Sequence, residues 1–130
     1  MGKSRKRSSA KSQLHSLKKK SAVIVALIGG RHEGIPVDRY IFKEVPDNEI
    51  FEFRKMERNM DRFLLENGLL IRDPSFGELR GSGKELFVYV TGLSCCTATV
   101  CKACFKYGVP LTLLHYNRNK GNYCKQRIVA

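Results

Sequence analysis

Two glycine-containing segments hold the groups that could bind or cleave a phosphate. Gly29-Gly30-Arg31-His32-Glu33-Gly34 follows a β-branched apolar run, and Thr91-Gly92-Leu93-Ser94 follows another. Glycines let a backbone approach a ligand closely, and the amides that open a helix favour an anion. The Thr91 and Ser94 hydroxyls could then hold a phosphate beside Gly29, Gly30 and Gly92, with Arg31 adding a charge-assisted fork. Neither segment has the spacing of a dinucleotide fingerprint or a Walker phosphate loop, so the pattern points to an anion without naming a nucleotide. The same glycines and Ser94 would equally serve tight turns and a helix cap.

His32 and His115 each follow a strand run. Two imidazoles titrating near neutrality can take a proton from a ribose hydroxyl and return one to the leaving oxygen, with Arg31 or Lys120 stabilising the charge between them. That would be metal-free phosphodiester cleavage; a surface or hydrogen-bonded structural role also fits each histidine. Of the five cysteines, Cys95, Cys96, Cys101, Cys104 and Cys124, the middle pair Cys101 and Cys104 has Cys-x-x-Cys spacing. The pair falls inside an expected helix and no second pair follows, so packing thiols are expected, with no metal and no cofactor. An odd cysteine count and a basic head without a signal-peptide core suit a reducing compartment, the cytoplasm, or the nucleus in a eukaryotic host.

The 130 residues suit one domain, and 24 Lys and Arg against 12 Asp and Glu give a net charge of +12. The excess is uneven. Residues 1–20 hold Lys3, Arg5, Lys6, Arg7, Lys11, Lys18, Lys19 and Lys20 and no acid; residues 21–85 are close to balanced; residues 86–130 hold six basic residues and again no acid. The head has too little apolar surface to offset the entropy of ordering, so residues 1–20 are expected to be a disordered basic arm. Such an arm contacts RNA or DNA by counterion release, and its two basic clusters also fit a bipartite nuclear-import pattern. The longest apolar run spans seven residues, Ala22–Ile28, which excludes it as a membrane-spanning helix.

Residues 21–130 must supply the elements that position these groups. Ala22–Ile28 reads as a central strand buried on both faces, and residues 37–45 as a second strand ended by Pro46. Asp47 is expected to cap a helix over 47–66, with Ile50, Phe53, Met56, Met60, Phe63 and Leu64 on one stripe and Asn67-Gly68 as its stop. Opposite that stripe, Arg54, Lys55, Arg58 and Arg62 alternate with Glu52, Glu57 and Asp61, which predicts intrahelical ion pairs. A short strand at 69–71, a glycine-rich flexible loop over 73–84 and a buried strand at 86–90 follow. A helix to Tyr107 ended by Gly108, a strand at 111–116 and an antiparallel edge strand at 123–129 complete the order. The expected fold is α/β, a small Rossmann-like layered fold whose mostly parallel sheet ends in an antiparallel C-terminal hairpin. Both phosphate-type segments should then converge on one rim of the sheet.

The chain resembles the small Rossmann-like proteins that accompany CRISPR systems, related to CRISPR-associated Rossmann-fold (CARF) sensor domains and ring nucleases. The resemblance rests on a first strand ending in Gly29-Gly30-Arg31-His32, on Val37-Asp38-Arg39, on the strand ending in Thr91-Gly92-Leu93-Ser94, and on the helix leading to residues 111–115. It implies a cyclic oligoadenylate or similar nucleotide bound at a homodimer interface, with Arg31, His32, Thr91, Gly92 and Ser94 at the ligand and metal-free cleavage in some members. The basic arm and the cysteine-rich second helix depart from that pattern. A non-enzymatic protein that clamps RNA or DNA with its arm and basic carboxyl-terminal segment is the alternative expectation.

Overall fold

The computed structural model describes residues 22–29 and 34–130. The expected arm, and Gly30, Arg31 and His32 of the first segment, lie outside the described residues. Among the described residues, seven strands and two helices follow in the order β1 (Ala22–Ile28), β2 (Tyr40–Phe42), a 3-10 turn (Asp47–Glu49), α1 (Phe53–Glu66), β3 (Leu70–Arg72), β4 (Leu79–Gly81), β5 (Glu85–Tyr89), α2 (Ser94–Tyr107), β6 (Leu111–Asn117) and β7 (Asn122–Val129).

Five strands form one sheet in the order β2-β1-β5-β6-β7. The first three neighbour pairs are parallel, and β6 and β7 are antiparallel. Alternation decides which side chains meet which layer. Val25, Leu27, Leu86, Val88, Leu111 and Leu113 pack with Met56, Met60 and Leu64 of α1 and with Val100 and Cys104 of α2. Each large aliphatic buried this way contributes roughly 1.5–3 kcal/mol. The intervening Ala26, Phe87, Tyr89 and Leu114 face the other side, where Ile35, Val37, Tyr40 and Tyr123 pack around them. Right-handed crossovers explain the asymmetry: β1 to β2 moves across the sheet in the opposite sense to the two helical crossovers, so its connection falls on the opposite face.

Several expectations need correction. β1 is interior, but β5 occupies the centre of the five strands. β2 is shorter than expected because β1 offers it only two register positions, Ala26 with Tyr40 and Ile28 with Phe42. Asp47 does not cap a long helix. Residues 47–49 form a separate 3-10 turn, and α1 starts at Phe53 without a side-chain cap. The Cys95 thiol, 3.4 Å from the Ile50 carbonyl, donates to the break between them. The acids of α1 reach across to α2: Glu57 accepts from Lys102 at 2.7 Å, and Asp61 accepts from the Tyr107 hydroxyl at 3.0 Å. That Lys102 contact holds the Glu57 carboxyl below its ordinary pKa. Lys55 pairs back to Glu49 of the turn.

The supposed loop over 73–84 contains β4, which pairs antiparallel with β3 outside the main sheet. Its glycines permit close packing as well as turning. A Cβ on Gly81 would stand 2.7 Å from the Gly108 carbonyl oxygen, so only glycine lets β4 lie against the end of α2. Gly29 is under the same constraint at the end of β1, where a Cβ would meet the Lys43 carbonyl oxygen at 2.7 Å. We expect Gly29→Ala to lower stability by about 1–3 kcal/mol, because backbone must yield, and a urea midpoint unchanged from wild type would refute this.

Candidate functional site

The chain leaves β1 toward β2 on one side and returns to β5 on the other, so the carboxyl ends of β1 and β5 form the switch point of the sheet. Ligands of open α/β sheets collect at such crevices, where two loops diverge. Here the divergence is pinned by one side chain. The Ile28 N–H donates to Thr91 Oγ1 at 3.1 Å, and the Thr91 hydroxyl donates to the Ile28 carbonyl at 3.0 Å. Thr91 is only 2% exposed, and its one hydroxyl hydrogen is directed at Ile28. It therefore braces the two strand ends, and its side chain has no second hydrogen to give a phosphate.

The two glycine segments thus begin side by side. Gly29 continues directly from the braced Ile28, and its N–H donates to the Phe42 carbonyl at 3.1 Å. Gly92 turns the chain from β5 into α2 at φ +74°, a left-handed conformation that a side chain would oppose. Ser94 is the first residue of α2, while Leu93 holds the cap position and makes no side-chain cap bond. The capping role considered for Ser94 is therefore not the one it plays; it stands in the first turn of the helix.

His115 lies within β6, inside the strand expected over 111–116. The β5–β6 register pairs Tyr89 with Leu114, which sets His115 one residue beyond that pair, toward the same rim as Thr91. Its Nε2 is 2.7 Å from Gln126 Oε1 on β7, so a neutral ring donates there and keeps Nδ1 as its acceptor. His32, Arg31 and Gly30 lie outside the described residues. Lys120 sits in the turn between β6 and β7, where its N–H donates to the Asn117 side chain at 3.1 Å.

Two residues escaped the sequence reading. Gln126 becomes visible only once the hairpin register sets it across from β6. Tyr89 sits in an unbroken apolar strand, and alternation alone would have turned it from the helices. Its ring is fully buried and its hydroxyl has no hydrogen-bond partner among the described residues. Burial first, and then Tyr123, push its pKa up to about 12.

Cys104 is buried in the core, and that burial, followed by the nearby Cys101, raises its thiol to about 12. Among the described residues, no group of three or more His, Cys, Asp or Glu side chains is placed to hold a metal ion. A cleft of about 660 Å³ lies between β2 and α1. Its lining sets Arg39, Lys43 and Arg62 against Asp38, Glu44 and Glu66, so it offers no net attraction to a phosphate.

The order of strands, the single helical layer and the braced switch point define a small Rossmann-like α/β protein. No family model matches the chain, and no curated protein or solved structure matches it either. Among the described residues, no helix is long and apolar enough to cross a membrane.

Proposed function

We propose that this protein binds a nucleotide or another phosphate-bearing ligand at the carboxyl ends of β1 and β5. The observation that carries the reading is the Thr91–Ile28 brace, which makes two glycine segments leave the sheet side by side at its switch point. In this reading Gly30 and Gly92 let the ligand approach the backbone, Gly29 closes β1 against Lys43 beside them, Ser94 and the first amides of α2 meet a phosphate, and Arg31 forks onto its oxygens. Thr91 is a positioning residue. The CRISPR resemblance narrows the ligand to a cyclic oligoadenylate, bound between two copies of the chain. His32 and His115 are assigned to proton transfer in phosphodiester cleavage, with the Gln126 contact orienting the His115 ring.

Calorimetric titration of the full chain with cyclic and linear oligoadenylates tests this reading. Arg31→Ala should weaken binding by about 10-fold or more, the worth of a charge-assisted hydrogen bond. No binding by wild type, or equal binding by the variant, would remove the proposal. The alternative, an RNA or DNA clamp built from the arm, is favoured by the charge of residues 1–20. It requires that removing them abolish binding with a steep salt slope while Arg31→Ala has no effect.

A further inference from the structure

The sheet face turned away from the helices is covered at β1 and β5 by the connection that carries Ile35 and Val37. Beyond that cover, β6 and β7 present a different surface. The register pairs Tyr116 with Tyr123, Leu114 with Lys125 and Thr112 with Arg127, so these side chains share the face. Three tyrosines step outward from the core. Tyr89 is fully buried, Tyr123 meets it edge-on with centroids 4.7 Å apart, and Tyr116 meets Tyr123 at 5.3 Å while remaining 57% exposed. The outermost ring is held from beneath and is still more than half exposed.

Basic residues line the same hairpin. Lys125 and Arg127 follow Tyr123 at every second residue, roughly 6.8 Å apart along a strand. Arg118 and Lys120 stand in the turn just after Tyr116, and residues 111–130 include no acid. The ion pair recorded on this surface is Arg127 with Glu85, at a long 3.9 Å. Edge-strand protection would account for charges on β7, because charged side chains discourage another strand from pairing there. It does not account for an exposed aromatic ring supported from the core beside them.

We propose that this β6–β7 face binds single-stranded nucleic acid, with a base stacked on Tyr116 and the backbone running along Lys125 and Arg127. A flat sheet can offer an aromatic ring only to an unstacked base, which a duplex does not present. This surface uses none of the residues assigned to the strand-end ligand, so the two proposals stand separately.

The test is fluorescence anisotropy of the full chain with labelled oligouridylate, oligothymidylate and a duplex of equal length, from 50 to 200 mM salt. Single strands should bind more tightly than the duplex. Tyr116→Ala should weaken them roughly 5- to 100-fold with the salt slope unchanged, and Tyr116→Phe should bind as wild type. Replacing both Lys125 and Arg127 by Gln should reduce the salt slope by about two phosphate contacts. Tighter binding of oligouridylate assigns the site to RNA, and of oligothymidylate to DNA. Wild-type affinity in Tyr116→Ala and in the double variant would overturn the proposal. So would a dimer in sedimentation that Tyr116→Ala dissociates while wild type binds no oligonucleotide, because a second copy would then occupy the face.

Discussion

Thr91→Val is expected to lower the unfolding free energy by about 2–4 kcal/mol. Valine fills the same volume, so the loss isolates the two hydrogen bonds. Their removal leaves a buried N–H without its acceptor and a buried carbonyl without this donor, both on Ile28. Thr91→Ser retains the hydroxyl and loses one methyl, which should cost only about 1 kcal/mol. Urea denaturation of the three proteins separates these cases. Equal midpoints for Thr91→Val and wild type would mean that the brace contributes nothing, and the basis for the strand-end site would go with it. If the brace holds, Thr91→Val should also weaken oligoadenylate binding, while Thr91→Ser should restore it.

Alkaline pH should destabilise the fold steeply. Cys104 and Tyr89 ordinarily titrate near 9 and 10, and in the folded protein both are pushed up to about 12. A raised pKa means that the folded chain keeps protons that the unfolded chain has released. Stability is therefore intact below pH 9 and declines as pH rises from there toward 12. One buried thiol alone gives a slope approaching 1.4 kcal/mol per pH unit, so a loss of about 2 kcal/mol or more is expected between pH 8 and pH 11. Cys104→Ala should flatten the part of the profile that begins near pH 9, and Tyr89→Phe the part that begins near pH 10. A profile level to pH 11 in wild type would show that neither group stays protonated in the folded state.

The layered order was legible because its main signals are local. A β-branched run stopped by Gly29, a strand before Thr91, and a helix ended by Gly108 in the left-handed conformation each depend on a few neighbouring residues. The antiparallel hairpin followed from two apolar-containing runs around Lys120-Gly121, with Gly121 at positive φ. The failures share a different cause. Gly81 reads as loop punctuation, yet its missing side chain admits the carbonyl of Gly108, distant in sequence. Asp47 has the composition of a cap, yet the chain there makes a 3-10 turn, and Cys95, 45 residues on from Ile50, bonds to the break. The charges of α1 have the spacing for pairs along one helix, but Lys102 and Tyr107 of α2 come near enough to compete for its acids.

The same division runs through the candidate site. Sequence alone determined that glycine segments follow two buried strands, that Ser94 stands at the start of a helix, and that positive charge gathers at both ends of the chain. Those properties belong to residue type and short-range order, which burial and backbone sterics read directly. Only the tertiary structure decided that Thr91 spends its hydroxyl on Ile28, that Gln126 meets His115, and that Tyr116 stands against Tyr123 on the face it shares with Lys125 and Arg127. Each depends on which strands lie side by side and in what register, and a one-residue slip of β7 would turn Lys125, Gln126 and Arg127 to the other side of the sheet.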